Sequence, residues 1–175
     1  MTDRLRILSV HRDSDVLGNI RSWFREGAME NWMDGFDFDG FISRLGESRV
    51  KGFGTDRLAT LGWAGLDSSN RPVAFLGGDV VVHHAGSFVQ STDGYVERPT
   101  TTPPTLGFFY IVLPDHRGLG YGREIVRAVL RDPSAAAVGI FACHVDVENH
   151  ASLAVMRGIP EFERSVVERG DEFFS

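Results

Sequence analysis

The chain has 175 residues, of which 42% are hydrophobic and 24% are charged, and these values are typical of one globular domain over residues 1–175. No apolar run approaches the length of a membrane span, and the start of the chain lacks the apolar core of a signal peptide, so we expect a cytoplasmic protein without membrane contact. The net charge of −6 argues against a broad nucleic-acid surface, and the single cysteine, Cys143, forms no internal disulfide and is expected to pack in a strand rather than to act as a nucleophile.

The first part of the chain predicts one strand and two helices. Apolar residues alternate over residues 5–10, as in a strand. Helical spacing of apolar residues predicts a helix over Asp13 to Glu26, capped by Asp13 or Ser14, and a weaker helix over Phe36 to Leu45.

Two strands are predicted next, over Leu58 to Leu66 and Val73 to Val82, joined by a polar turn. The segment Ala85 to Thr105 is rich in Gly and Pro and is predicted as one long connection. Because it directly precedes the next strand, it fits either a loop that covers a substrate or a merely mobile loop.

The most informative pattern is a strand, a glycine turn and a helix. The apolar run Leu106 to Leu113 predicts a strand buried on both faces, and an amphipathic run that stops at Asp132-Pro133 predicts a helix. Between them, the glycines of Arg117 to Gly122 let the backbone approach a ligand closely, and the start of the helix favours a phosphate. The spacing matches no dinucleotide fingerprint, and Gly122-Arg123-Glu124 stands where a P-loop needs Gly-Lys-Ser or Gly-Lys-Thr.

A second strand–helix pair follows. The strand is predicted over Val138 to Val145, and Asn149 begins an apolar helix that runs toward Gly158. After a further strand over Phe162 to Val167 the remaining chain is short. Either the last hairpin is abbreviated, or a partner chain completes the sheet edge, as in a homodimer.

These two pairs resemble the acetyl-coenzyme A-binding part of the GNAT N-acetyltransferase superfamily over Thr105 to Phe162. The Arg-x-x-Gly-x-Gly turn after Val-x-Pro carries the resemblance, together with the Val, Asn and Ser spacing of the second pair. The resemblance implies one α/β domain (α+β by some schemes), with a central mixed, mostly antiparallel sheet flanked by about four helices. It also implies acetyl-CoA as cosubstrate and no metal.

The resemblance further implies where the cofactor binds. The turn would hold the pyrophosphate, the backbone N–H of Val112 would face the thioester carbonyl, and Asn149 would bind the pantetheine arm as well as cap its helix. The residues expected to bind the cofactor are Tyr110, Ile111, Val112, Arg117, Gly118, Leu119, Gly120, Tyr121, Gly122, Arg123, Asn149 and Ser152.

The acid that would protonate the leaving thiolate departs from the family pattern. The family commonly has a Tyr seven residues after the Asn, where this chain has Met156, and a thioether cannot donate a proton. Either Tyr110, Tyr121 or Tyr95 substitutes, or the thiolate leaves unaided.

Two residues are candidates for a catalytic role at the acceptor amine. His144 stands where several relatives carry a Glu base, and an imidazole accepts a proton near neutral pH; the alternative is a strand histidine bonded to a neighbour. Glu30 lies in an acidic stretch, Glu26 to Asp39, in the region from which the family builds its acceptor site; the alternative is a solvated acidic surface.

The sequence is compatible with two functions. The first is acetyl transfer from acetyl-coenzyme A to a primary amine of a small molecule or peptide by direct attack. The second is a catalytically weak acyl-coenzyme A-binding sensor or interaction module.

Overall fold

A mixed, mostly antiparallel sheet organises the chain, which the computed structural model describes at residues 4–25, 33, 36–52, 54–89, 94–99, 102–166 and 172–175. The described strands are β1 Arg6–Ser9, β2 Thr55–Leu66, β3 Pro72–Val89, β4 Gly94–Pro99, β5 Thr105–Val112, β6 Ile140–Val145, β7 Arg164–Val166 and β8 Glu172–Phe174. The described helices are α1 Val16–Arg25, α2 Phe38–Arg44, α3 Tyr121–Val129 and α4 His150–Arg157.

The order of the strands across the sheet is β1-β2-β3-β5-β6-β8-β7, and β4 pairs with β3 off this path. Every described pair is antiparallel except β5 with β6. A parallel pair needs a crossover connection, and α3 supplies it here. The predicted fold class is therefore confirmed: a mixed, mostly antiparallel sheet with four helices.

The helices form two layers, one on each face of the sheet. Strand alternation separates the layers, because Leu76 of β3 packs in the cluster with α3 and α4, whereas its neighbour Phe75 packs in the cluster with α1 and α2. Ile125 of α3 and Phe41 of α2 are almost fully buried in these clusters. Burial of one such side chain contributes about 1.5–3 kcal/mol.

The helix boundaries differ slightly from the prediction. α1 begins at Val16 rather than Asp13, and the Ser14 hydroxyl accepts the N–H of His11 in the turn that precedes the helix. α2 is shorter than predicted, since the Asp37 side chain accepts the N–H of Gly40 at 2.8 Å and so marks the helix start.

The predicted long connection from Ala85 to Thr105 is wrong in its first part. β3 continues to Val89, and residues 84–89 pair with residues 94–99 of β4. Gly94 and Pro99 indicated a loop in the sequence, but they lie at the two ends of β4, where a strand tolerates them. Residues 90–93 and 100–101 lie outside the described residues, so the covering loop stays a prediction.

The chain itself supplies the short final hairpin. β8 pairs with Cys143, His144 and Val145 of β6 on one side and with β7 on the other. Of the two alternatives for the C-terminus, the structure shows the abbreviated hairpin. The homodimer stays a prediction.

Candidate active site

The two parallel strands β5 and β6 separate in the middle of the sheet. Their ladder consists of three described pairs and ends at Gly107 and Ala142. β5 then continues to Val112, while β6 pairs with β8 from Cys143 onward. In the described part of the sheet, the second half of β5 is therefore paired only with β3, and an opening lies between β5 and β6.

Backbone groups of β5 point into this opening. The N–H of Leu113 donates to the carbonyl of Val73 at 2.9 Å, on the β3 side. Because N–H groups alternate between the two edges of a strand, those of Tyr110 and Val112 point to the opposite edge. The Val112 N–H therefore points into the opening, and its role at a thioester carbonyl stays a prediction.

The glycine turn follows directly from this open edge. Gly118 and Gly120 have φ angles of +73° and +87°, a conformation that side chains disfavour. Gly120 is the N-cap of α3 and gives it no side-chain cap, so the N–H groups of the first turn are available to an anionic ligand. A Cβ on Gly118 would meet open space.

Gly122 serves a different purpose from the other two glycines. A Cβ at this position would lie 3.1 Å from Cε2 of Tyr110 and 3.4 Å from Cγ2 of Val155. Its lack of a side chain therefore lets α3 approach both β5 and α4 closely. This packing sets the position of the turn relative to the opening.

The two arginines of the turn lie in different places. The Nε of Arg117, an exposed residue, donates to the carbonyl of Val112 at 3.3 Å, so this side chain folds back onto the end of β5. Arg123 instead reaches α4, where its Nη2 donates to the carbonyl of Ala154 at 3.3 Å and packs on Gly158. The guanidinium of Arg123 therefore lies on α4 rather than at the predicted pyrophosphate position, and a contact from its backbone stays a prediction.

Asn149 and Ser152 lie at the start of α4. The Asn149 Oδ1 accepts the N–H of Ser152 at 3.0 Å, which confirms the predicted N-cap. The Ser152 side chain also lies beside the hydroxyl of Tyr110. Together, α4 and β5 bring these predicted cofactor-binding residues to one place.

Tyr110 has an unusual hydroxyl. The oxygen is buried and makes no hydrogen bond of good geometry with a described group. Burial raises the pKa of Tyr110 to about 12, with nearby Ser152 opposing part of the shift. The phenol therefore stays neutral and keeps its proton as a hydrogen-bond donor.

The other candidates for the acid are placed less well. Met156 is fully buried in the core. The ring of Tyr121 faces the Arg4 guanidinium, which lies 4.8 Å from its centroid. The side chain of Tyr95 lies outside the described residues.

His144 lies on the face of the sheet that carries α1 and α2. Its strand neighbours Cys143 and Val145 point into the core with α3 and α4, whereas His144 is exposed. It is two residues beyond Ala142, where the strands separate. Glu30, the other catalytic candidate, lies outside the described residues.

Asp79 is a second ionisable group on this face. It pairs with Gly107 of β5, which in turn pairs with Ala142, so Asp79 lies one strand away from the opening. A Cβ on Gly107 would meet open space. The Asp79 carboxylate accepts the Thr60 hydroxyl at 2.5 Å and lies 3.8 Å from Arg44 Nη2.

The described members of the acidic stretch have structural partners. Asp37 caps α2, and Asp39 lies 2.6 Å from Arg21 in an ion pair. Glu26, Glu30 and Asp34 lie outside the described residues. Attraction of a cationic acceptor by this stretch therefore stays a prediction that depends on those three.

Cys143 behaves as a packing residue. It is buried, and burial raises the pKa of its thiol to about 12, so the thiol stays protonated. Among the described residues, no group of three or more His, Cys, Asp or Glu is arranged to hold a metal ion. No helix in the described ranges is long and apolar enough to cross a membrane.

Comparison with known proteins finds both a family and structural neighbours. The acetyltransferase (GNAT) family model matches residues 17–158. No curated protein matches the chain.

The similar solved structures include three acetyltransferase folds. Spermidine N-acetyltransferase from Vibrio cholerae, in complex with CoA and spermine, has a TM-score of 0.60 and 15% identity over 99% of this chain and 94% of that chain. The GNAT domain of PAT from S. lividans has a TM-score of 0.57 and 16% identity over 97% of this chain and 88% of that chain. Aminoglycoside antibiotic 6'-N-acetyltransferase from Acinetobacter baumannii has a TM-score of 0.51 and 17% identity over 93% of this chain and 95% of that chain. At these identities the likeness concerns the fold.

Proposed function

Since the chain belongs to the acetyltransferase (GNAT) family, we propose that it transfers the acetyl group of acetyl-coenzyme A to a primary amine of a small molecule or peptide. One observation carries the proposal. The open edge of β5 leads directly into a glycine turn whose helix N-terminus has no side-chain cap. A thioester arm bound along the edge and phosphates bound at the turn would occupy both features at once.

The residues present fit coenzyme A. The backbone of Gly118 to Gly122 would hold the pyrophosphate, and the N–H groups of Tyr110 and Val112 would meet the pantetheine arm and the thioester oxygen. Asn149 and Ser152 would border the arm from α4. When bound, acetyl-coenzyme A supplies an activated acyl group.

The reaction exchanges a C–S bond for a C–N bond. The amine nitrogen attacks the thioester carbon, the thiolate leaves, and the extra proton of the amine passes to a base. We assign the base to His144, on the face that carries α1 and α2.

Tyr110 would stabilise the thiolate by a hydrogen bond. A phenol with a pKa of about 12 is a weaker acid than a thiol, whose reference pKa is about 8.5, so complete proton transfer to sulfur is unfavourable. The phenol donates a hydrogen bond as charge develops, and solvent then protonates the thiolate.

Tyr110→Phe is expected to lower kcat about tenfold, because a hydrogen bond to a charged group is lost. The Kd for coenzyme A should stay within about twofold, since the ring remains. The wild-type to variant ratio should stay constant from about pH 6 to pH 10, because a group with a pKa of about 12 does not titrate there. Steady-state kinetics across this range measures both quantities.

Tyr121→Phe and Tyr95→Phe test the alternative donors with the same chemical change. A larger loss of kcat in either variant, with Tyr110→Phe near wild type, would assign the role elsewhere.

Turnover separates the enzyme from a coenzyme A-binding module. Free thiol release is measured against a panel of polyamines, aminoglycosides, amino acids and peptide N-termini. Release that depends on one acceptor class supports the proposal. Coenzyme A binding without release for any acceptor would favour the sensor or interaction module.

Neutralising the acidic stretch tests the acceptor site. Glu30→Gln combined with Asp34→Asn is expected to raise KM for a cationic acceptor by about three- to tenfold, because attraction of the cation weakens. Coenzyme A affinity should not change. Asp13→Asn with Asp15→Asn removes the same charge before α1 and is the control; equal KM values in the two double variants would support the solvated-surface alternative.

A further inference from the structure

Arg4, which precedes β1, contacts the glycine turn although the sequence places it far from that turn. Its Nη2 donates to the carbonyl of Leu119 at 2.7 Å, and its guanidinium lies over the ring of Tyr121. A Cβ on Gly120 would lie 3.2 Å from the same nitrogen. The guanidinium therefore packs directly against the turn.

Glu124, in the first turn of α3, holds Arg4 in this position. Its Oε1 accepts the N–H of Leu5 at 2.6 Å and also the N–H of Arg4. Its Oε2 lies 3.1 Å from Arg4 Nη2 and 3.2 Å from Nε. One carboxylate thus binds both the backbone and the side chain of the segment before β1.

The contacts of Arg4 affect both the conformation of the glycine turn and the charge beside it. The turn has two residues at positive φ, Gly118 and Gly120, and the bond from Arg4 to the carbonyl of Leu119 between them restricts its conformation. The Glu124 side chain, only 14% exposed, places a negative charge beside the site, and Arg4 compensates that charge.

We propose that Arg4 is a positioning residue for the phosphates of coenzyme A. It holds the glycine turn through Leu119 and neutralises Glu124, so that the first turn of α3 presents its N–H groups without a competing negative charge. The inference rests on the proposed function, because it takes coenzyme A as the ligand of the turn.

Arg4→Gln is expected to raise the Kd for coenzyme A about tenfold at 50 mM NaCl, because the Glu124 charge is exposed to the phosphates. The loss should shrink to about threefold or less at 500 mM NaCl, where charge repulsion is screened. Titration calorimetry on the full chain gives both values, and unfolding of the ligand-free variants monitors the fold.

Arg6→Gln is the matched control. Arg6 lies two residues further along, and its Nη2 donates to Asn70 Oδ1 at 2.9 Å rather than to the turn. We expect its Kd to stay within about twofold of the wild type.

The double variant Arg4→Gln/Glu124→Gln separates charge from support of the fold. A glutamine at 124 keeps an oxygen for the N–H groups of Arg4 and Leu5 but removes the charge. More than half of the rise in Kd seen in Arg4→Gln should therefore be reversed. No recovery, or a loss independent of salt, would overturn the proposed masking of Glu124. Wild-type affinity in Arg4→Gln would overturn the whole inference and leave the proposed function standing, whereas a wild type that does not bind coenzyme A would overturn both.

Discussion

Gly120→Val is expected to abolish the stabilisation that coenzyme A gives the protein. Gly120 has a φ of +87°, and a branched side chain there forces the turn to change shape and presses on Arg4. Coenzyme A at 100 times its Kd should stabilise the wild type by about 2.7 kcal/mol. Unfolding with and without coenzyme A should show this gain in the wild type and none in the variant.

Gly46→Val is the control for backbone strain. Gly46, in the loop after α2, has a φ of +79° and nothing within 4 Å of its Cβ position. Both variants should lose about 1–3 kcal/mol of ligand-free stability from strain. Only Gly46→Val should keep the full coenzyme A effect; a full effect in Gly120→Val would exclude the turn as the phosphate site.

The central motif was predictable because its signals are local. The apolar run of β5, the glycines and the apolar face of α3 are consecutive in sequence, and each reports its own backbone conformation. The same holds for Asn149, since an Asn at a helix start caps that helix. Local patterns therefore predicted the elements and the position of the turn, whereas the resemblance to the GNAT superfamily implied the fold class.

Features that depend on tertiary contacts were not predictable in this way. The hairpin of β3 and β4 looked like a loop, because Gly and Pro are read as breakers unless the pairing partner is known. Arg123 was assigned by its place in the motif, yet its guanidinium lies on α4. Arg4 is 120 residues from Glu124, and no local pattern connects them.

His144 could be placed on a face but not given a partner from the sequence. Strand alternation is enough to place its side chain on the opposite face from those of Cys143 and Val145, which is where it lies in the structure. The separation of β5 and β6 next to Ala142 was not visible, because it depends on the last hairpin pairing with β6. Because the strands separate after Ala142, His144 lies two residues beyond the point where the opening begins.

His144→Ala and His144→Gln are expected to lower kcat/KM by about 10²-fold, because a positioned general base is lost. Coenzyme A affinity should be preserved, since the exposed side chain lies on the opposite face from the glycine-turn helix. The measurement is the pH profile of kcat/KM with one acceptor. A protonated imidazole cannot accept the proton of the amine, so the wild-type rate should fall on the acidic side.

The acceptor amine titrates too, and its own loss of reactivity at low pH resembles that of a protonated base. Dividing the wild-type profile by the variant profile cancels this contribution, because the acceptor is the same in both. If this ratio falls toward one at acidic pH, protonation of His144 causes the loss of wild-type rate there. A flat ratio near one would instead mean that water or a carboxylate accepts the proton. Asp79→Asn then distinguishes these two. Asp79 lies one strand from the opening, beside Gly107, which has no side chain.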